Sequence, residues 1–282
     1  MPNETKAGEV GEFTNHDPAA TPADSYARYA AWRDKCPVAH SDAFDGFYLF
    51  NRYADVRAAA KDWQTFSSAE GFTLPALPVR AWAIGADPPL HTRERGLFKE
   101  ILNNDMYRTF EEHAVEDATR LIEAFLPAGE VDLVEALCEP IPVLTICGMI
   151  GLDAEEAIRV RPVAMETFEA TNDTSRMIAA NARFNAAVKE FSDSRREKPR
   201  DDFMTRVVTE PIEGVMFSDE EIGNLLQGIL IAGHHTTTSA MSSLFRRILT
   251  EPGLKQKLID EPELILAAVE ETLRLDTPLH MF

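Results

Sequence analysis

The sequence has few cysteines, little positive charge and no long hydrophobic run. Its three cysteines lie at scattered positions in 282 residues, which argues against a disulfide framework and favours the reducing cytoplasm. Lys and Arg number 28 against 47 Asp and Glu, and the net charge of −19 speaks against nucleic acid, which needs a basic surface. The longest apolar run, around 229–232, is far too short to span a bilayer, and neither a signal peptide nor a membrane anchor is recognisable. The spacing of Cys and His matches no metal site.

The composition is that of a globular protein, with 45% hydrophobic and 27% charged residues. Residues 1–24 are polar and expected to be disordered, whereas 25–282 contain no repeat or linker and are expected to form one domain. Strand signals are confined to regions near 46–50 and 79–84, so the predicted class is mainly α with a small β-sheet. Apolar periodicity predicts helices over about 53–61, 88–102, 107–126, 155–170, 175–196, 218–250 and 262–275.

The longest of these helices has the clearest start and stop signals. Ser218 is placed as its N-cap and Glu221 at the third helical position, which predicts a capping box. Phe217 and Ile222 are placed for a hydrophobic staple. The helical spacing of apolar residues then continues over about 30 residues, or roughly 45 Å of helix, until the Pro252-Gly253 pair ends the pattern. A helix of this length is expected to cross the core of the domain.

The centre of this helix reads Ala232-Gly233-His234-His235-Thr236-Thr237, and its glycine, histidines and threonines are poor or middling helix formers. Gly233 lets something flat and bulky approach the backbone. Thr236 can turn its hydroxyl to the carbonyl of Ala232 one turn earlier, which bends the helix and opens a groove beside the titratable His235. Such a groove suits a small polar guest. A close helix crossing explains the same residues, and the run alone favours that explanation.

Two further groups of residues lie on predicted helices. In the run from Asp87 to Arg95, His91 and Arg95 are four residues apart and project from one face, where they could hold an anionic group. A solvated basic face is the alternative. In the apolar stretch 264–275, Glu271 and Arg274 have the spacing of an ordinary surface ion pair. The apolar flanks also allow a buried, hydrogen-bonded pair.

In this order the three groups resemble the motifs of a cytochrome P-450, a haem-thiolate monooxygenase of the soluble bacterial kind. The run DPPLHTRER looks like the start of the family's helix C, AGHHTT like the oxygen-activating segment of its helix I, and EETLR like the E-x-x-R of its helix K. Each motif is weak by itself, and the ordered set is specific. The resemblance runs from about residue 20 to the last residue.

The resemblance implies the cytochrome P-450 fold, haem b as the cofactor and a monooxygenase reaction on an apolar small molecule. Dioxygen and a ferredoxin-type electron donor would be the other partners. Thr236 and His235 would be catalytic and deliver protons to dioxygen, and Glu271 with Arg274 would be structural. The residues that would contact the cofactor are His91 and Arg95, at the haem propionates, together with Ala232 and Gly233.

Two departures from the family pattern stand out. His235 occupies the position where the family usually has an acid, so the proton relay is expected to have a different pH dependence. The cysteine that ligates the iron lies downstream of helix K in the family, whereas this sequence stops at Phe282. Cys138 and Cys147 lie in an apolar stretch where inert thiols are expected, and Cys36 lies near the start. The sequence therefore predicts a domain truncated after helix K, without an axial metal ligand.

The substrate prediction rests on the loop between the first and second predicted helices, 53–61 and 88–102. Its apolar residues, together with Ile229 of the long helix, would line a pocket, and Arg80 could anchor a carboxylate or be solvated. Two other functions stay open: a non-catalytic remnant that binds a hydrophobic ligand or partner, and, ranked last, a metal protein using His234 and His235. The loop residues predicted to contact substrate are Phe72, Leu74, Leu77 and Trp82.

Overall fold

The computed structural model describes residues 22–42, 46–71, 73, 80–101, 104–170, 173–211 and 214–279. These residues cluster into two compact units, one within residues 1–76 and the other within 77–282. The single domain predicted over 25–282 stays a prediction. Residues 22–24, predicted to be disordered, belong to a helix that begins at Pro22.

The first unit holds a two-stranded antiparallel sheet between short helices. Val38 pairs with Phe50 and Ser41 with Phe47, so four residues of each strand face each other. The strand predicted near 46–50 is therefore confirmed. The elements are α1 (Pro22–Lys35), β1 (Val38–Ser41), β2 (Phe47–Phe50) and α2 (Tyr53–Ala59).

The described residues of the second unit form helices joined by turns and loops. A π-helical turn, Val134–Cys138, precedes α5, and 3₁₀ turns follow α4 and precede α11. The predicted class, mainly α with a small sheet, is confirmed. The helices are α3 (Leu90–Ile101), α4 (Asn104–Phe125), α5 (Pro140–Ile150), α6 (Ala154–Glu169), α7 (Thr174–Glu197), α8 (Phe203–Thr209), α9 (Asp219–Thr250), α10 (Leu254–Asp260) and α11 (Ile265–Leu275).

The strand predicted near 79–84 is wrong for residues 80–84, which form turns; residue 79 lies outside the described residues. Ala83 has a φ of +59°, in the left-handed region that interrupts an extended strand. The sequence did not predict helices α1, α5, α8 and α10. Helices α8 and α10 have only seven residues each. Helix α5 is apolar on every side, so it lacks the periodicity that reveals an amphipathic helix.

Helix α9 runs through the core of the second unit. The predicted capping box is confirmed: the Glu221 amide donates to Ser218 Oγ at 3.2 Å, and the Ser218 amide donates to Glu221 Oε2 at 3.0 Å. Leu225, Leu226 and Leu230 are buried between α9 and its neighbours, chiefly α5 and α7. Each contributes about 1.5–3 kcal/mol by leaving water. The amino-terminal half of α9 is therefore held rigidly.

Among the described residues, no single helix combines the length and hydropathy that a bilayer crossing requires. One pair of segments, Val134–Ile150 and Glu155–Thr167, meets the criteria jointly but bends by 114° between them.

Candidate functional site

The central run of α9 has the local geometry that its threonine predicts. The Thr236 hydroxyl donates to the carbonyl oxygen of Ala232 at 2.7 Å, so this hydrogen bond is confirmed. Ala232 and Thr237 are exposed, whereas His234 and Leu230 are buried. Ala232 and His234 project about 200° apart around the helix, so the side that carries His234 is packed in the core and the side that carries Ala232 is open.

Gly233 faces the packed side. A Cβ atom at this position would lie 2.8 Å from Cγ1 and 2.9 Å from Cδ1 of Ile146 on α5. The glycine is therefore required by the close crossing of α9 and α5. This packing explains the glycine without a cofactor. Contact between Gly233 and a cofactor stays a prediction.

The two histidines differ in environment. His234 is 3% exposed, and its Nδ1 lies 2.8 Å from Sδ of Met165 on α6. Burial lowers the pKa of His234 to about 4, with further lowering by His235 and Arg161, so the ring is neutral at neutral pH. His235 is half-buried, with its ring centroid 4.8 Å from that of His234. Of the two, His235 is the better placed to exchange protons with the open side.

A groove of about 360 Å³ lies between α9 and α11, and Thr236 forms part of its wall. Its lining is apolar apart from three threonines, so it suits a small apolar molecule or one edge of a flat cofactor. The sequence did not predict the contribution of α11 to this wall, because it depends on how the two helices cross. The lining residues are Thr236, Thr237, Ala240, Met241, Leu244, Val269, Thr272, Leu273 and Pro278.

Glu271 and Arg274 form the predicted ion pair, with two hydrogen bonds of 2.7 Å. The alternative of a buried pair, which the apolar flanks allowed, is wrong: the side chain of Glu271 is 54% exposed and that of Arg274 is 66% exposed. The reason is that α11 packs on α9 through its other side, which includes the buried Thr272. A different acid, Asp276, joins α11 to α9 by accepting hydrogen bonds from Arg246 and Arg247.

His91 and Arg95 lie one turn apart at the start of α3, as their spacing predicts. The His91 amide donates to the carbonyl oxygen of Asp87 at 2.9 Å, which secures the first turn. Arg95 is exposed, with its guanidinium carbon 5.3 Å from the ring centroid of Phe98. Within the described part of the chain Arg95 takes part in no ion pair. Its charge is available to an anionic group.

The predicted substrate residues are only partly described. Phe72, Leu74 and Leu77 lie outside the described residues. Trp82 and Ile229 are buried in the core, where Trp82 packs against Phe217 with ring centroids 5.5 Å apart. Contact of either residue with a substrate stays a prediction.

The carboxylate that Arg80 binds in this structure is that of Glu94, and a role of Arg80 in anchoring a substrate stays a prediction. Its guanidinium donates two hydrogen bonds to the carboxylate of Glu94, at 2.5 and 2.8 Å, and is thereby occupied. Sequence reasoning missed Glu94, because nothing in its local pattern marks it as buried.

Cys138 and Cys147 have the inert character expected of them. Burial raises the pKa of Cys147 to about 12. It also raises the pKa of Cys138, against a smaller opposing effect of a hydrogen bond with Ser242. The Cys36 thiol donates to the carbonyl oxygen of Val38 at 2.9 Å. The described residues contain no group of three or more His, Cys, Asp or Glu side chains that could hold a metal ion.

Comparisons with known proteins agree with this geometry. The sequence model of the family Cytochrome P-450 matches residues 170–281. The chain is 28% identical over 279 residues to mycinamicin IV hydroxylase/epoxidase of Micromonospora griseorubida, covering 96% of this chain and 65% of that protein. It is 30% identical over 260 residues to vitamin D(3) 25-hydroxylase of Pseudonocardia autotrophica, covering 89% and 64%. The chain thus spans less than two thirds of the length of these curated relatives.

Solved structures give the same result. The chain superposes on a Mycobacterium marinum cytochrome P-450 in complex with pseudoionone with a TM-score of 0.82 and 21% identity, covering 91% of this chain and 68% of that one. With the ligand-free cytochrome P-450 TbtJ1 the TM-score is 0.76 at 30% identity, covering 89% and 66%. The chain belongs to the cytochrome P-450 family, as its motifs predict, and the family implies haem b as its cofactor.

The described residues fit one side of such a cofactor. The open side of α9, with Thr236 at the apolar groove, and the free charge of Arg95 on α3 are compatible with a flat, dianionic porphyrin. Cys138 and Cys147 do not fit the role of the thiolate ligand. Cys138 and Cys147 are buried in helix packing with raised pKa values, so neither is suited to coordinate iron.

Proposed function

We propose that this chain supplies the oxygen-activating side of a haem monooxygenase that inserts one atom of dioxygen into a small apolar substrate. The observation that carries the proposal is the Thr236 hydroxyl in the wall of an apolar groove, close to the point where α9 leaves the buried core. The names of the curated relatives, a hydroxylase/epoxidase and a 25-hydroxylase, support the reaction class. We place the reaction in the cytoplasm, with a ferredoxin-type protein as electron donor.

The residues have separate tasks in this proposal. His91 and Arg95 bind the propionates through hydrogen bonds and charge, and Ala232 leaves room for the ring plane beside α9. Bound haem supplies the site at which dioxygen is reduced. Thr236 Oγ1 donates to the Ala232 carbonyl, so its two lone pairs are left to accept a proton donor in the groove. His235 passes protons to that donor through its ring nitrogens.

The first test is titration of haem b into the purified chain, followed by absorption spectroscopy. We expect uptake in a 1:1 ratio, weakened about tenfold, or ~1.4 kcal/mol, by Arg95→Ala because one charge-assisted contact is lost. Arg120→Ala removes an exposed arginine of α4 and serves as the control. Absence of uptake would overturn the cofactor assignment for this chain. A thiolate-type band after reduction and addition of carbon monoxide would overturn the exclusion of its cysteines.

The second test concerns Thr236 in haem-loaded protein supplied with reductant. Thr236→Ala is expected to consume reductant without a matching yield of product, because the hydroxyl that holds the proton donor is gone. Thr250→Ala is the matched control, since Thr250 makes the same hydrogen bond one turn back, to Arg246, at the exposed end of α9. Equal coupling in the two variants would remove Thr236 from the relay.

A non-catalytic role is the second candidate, and the unsuitable thiols of Cys138 and Cys147 favour it. In that case the groove between α9 and α11 binds a hydrophobic ligand without haem. An apolar fluorescent probe would then bind the haem-free chain, and Leu273→Arg in the groove wall would abolish the binding. Failure of the probe to bind would exclude this role.

A further inference from the structure

Glu94 is a buried acid with several hydrogen-bond partners among the described residues. It lies on α3 and is 1% exposed. Its carboxylate accepts hydrogen bonds from Arg80 Nη1 at 2.8 Å, from Arg80 Nη2 at 2.5 Å and from the Ala83 amide at 2.7 Å. A buried carboxylate is tolerated only when it is paired and hydrogen-bonded in this way. These bonds attach the segment 80–86 to α3.

The attached segment is strained and tightly turned. Ala83 has a φ of +59°, which a residue with a Cβ atom adopts only when its surroundings enforce it. The Gly85 amide donates to the Ala81 carbonyl at 3.0 Å, and a Cβ atom on Gly85 would lie 3.2 Å from that oxygen. The one side-chain acceptor recorded for the amide of Ala83 among the described residues is Glu94. Glu94 is therefore the group that enforces the left-handed turn.

The same segment reaches α9. Trp82 is buried, its indole Nε1 donates to the Glu94 carbonyl at 3.5 Å, and its ring packs on Phe217 just before α9. Arg93 joins the two helices separately, through a 2.9 Å ion pair with Glu221. Helices α3 and α9 are thus held together by two sets of contacts, and the buried set depends on Glu94.

We propose that Glu94 is a positioning residue: by holding segment 80–86 it fixes α3, with His91 and Arg95, relative to α9 and Thr236. The importance of this positioning for the reaction rests on the proposed function, which assigns His91 and Arg95 to the cofactor and Thr236 to proton delivery. The geometry that it requires is a property of the haem-free chain. It can therefore be tested without haem.

The test compares Glu94→Gln with Glu221→Gln in the full chain. Glu94→Gln neutralises the buried carboxylate that holds segment 80–86, and Glu221→Gln neutralises the carboxylate on α9 that pairs with Arg93. In both variants glutamine retains the shape of the side chain and one acceptor oxygen. Exchange of the Ala83 amide is measured by NMR, together with the ring signals of His91. We expect Glu94→Gln to speed exchange at Ala83 by about tenfold or more and to shift the His91 signals, because the segment opens locally. We expect Glu221→Gln to leave both near the wild-type values.

A paired variant separates positioning from stability. Arg80→Met with Glu94→Met removes both charges together, so no buried charge is left unpaired and the melting temperature is expected to recover relative to Glu94→Gln. In this paired variant residue 94 offers the Ala83 amide no acceptor at all. Fast exchange and shifted His91 signals should therefore persist, which a purely stabilising role would not produce.

Haem titration of the same variants links the geometry to the cofactor. Weaker uptake by Glu94→Gln than by Glu221→Gln supports the proposal. Slow Ala83 exchange and unchanged His91 signals in Glu94→Gln would overturn it, whether or not haem binds. Altered exchange with wild-type haem affinity would also overturn it, since α3 would not need Glu94 to present its residues. Lack of haem uptake by the wild type would instead refute the cofactor assignment and leave the exchange result to decide on Glu94.

Discussion

Replacing Arg195 by methionine should cost more stability than any exposed charge in the second unit. Arg195 is fully buried near the carboxyl end of α7. Its guanidinium donates to both carboxylate oxygens of Glu156 at 2.7 and 2.8 Å, to Asp202 at 3.0 Å and to the Gly151 carbonyl at 2.6 Å. These partners connect the ends of α5, α6, α7 and α8. Methionine retains the apolar stem and removes every one of these bonds.

The expected loss is about 3–5 kcal/mol, because Asp202 loses the buried Arg195 as its partner and Glu156 keeps only a 3.6 Å ion pair with the exposed Arg200. That is a large share of the ~5–15 kcal/mol that stabilises a typical domain. The adjacent Arg196 gives the matched control. Arg196 is half-exposed and pairs with Asp193 and Asp219, so Arg196→Met should cost less than about 1 kcal/mol.

The assay is urea denaturation of the haem-free chain, followed by circular dichroism. Arg195→Met should lower the urea midpoint strongly at an unchanged slope, and Arg196→Met should barely move it. Stability losses of equal size in the two variants would refute the reasoning, because burial would then not decide how much an ion pair contributes to the free energy of unfolding.

The pH dependence gives an independent check on Arg195. Burial by itself would raise the pKa of Glu156, but hydrogen bonds from Arg195 and from the Asp153 amide outweigh it and place the pKa below the ordinary value. A carboxyl with a depressed folded pKa adds stability above its unfolded pKa, about 4.3, and loses it as the pH falls through the folded value. The difference between wild type and Arg195→Met should therefore be largest near neutral pH and shrink in acid. A constant difference would contradict the assignment of Glu156.

Three further outcomes are expected. Gly233→Ala should destabilise the chain by about 1–3 kcal/mol in thermal unfolding, because the new Cβ atom would overlap Ile146; a neutral result would mean that α5 shifts freely. At pH 8 a thiol reagent should modify Cys36 in the folded chain and leave Cys147 intact, since burial raises the pKa of Cys147 to about 12; rapid modification of Cys147 in mass spectra would contradict its burial. His234, with its pKa lowered by burial to about 4, should add stability that is complete above about pH 6.5 and is lost as the pH falls toward 4. Replacing His234 by phenylalanine should flatten that part of the profile, and an unchanged profile would show that another group titrates.

The sequence alone determined the features that depend on neighbours along the chain. The capping box of Ser218 and Glu221 and the back-bond of Thr236 were predictable, because each joins residues three or four positions apart in a helix. The ion pair of Glu271 and Arg274 follows from the same spacing. The order of the motifs also predicted the family, since family motifs are patterns along the chain.

Only the tertiary structure decided which side chains are buried and what they touch. The burial of Glu94 depends on Arg80 and Ala83, 14 and 11 residues earlier, and that of Arg195 on Glu156, 39 residues away. A charged residue in a sequence reads as exposed unless its distant partner is known, because an unpaired charge is too costly to bury.

The groove shows the same limit. Its walls come from two helices whose crossing is set by packing, so Thr236 could be predicted as a candidate while the α11 residues opposite it could not. The exposure of Glu271 and Arg274 was likewise decided by which side of α11 packs on α9. Local sequence specifies helices and their caps through short-range hydrogen bonds, and long-range packing decides the environment that gives each side chain its chemistry.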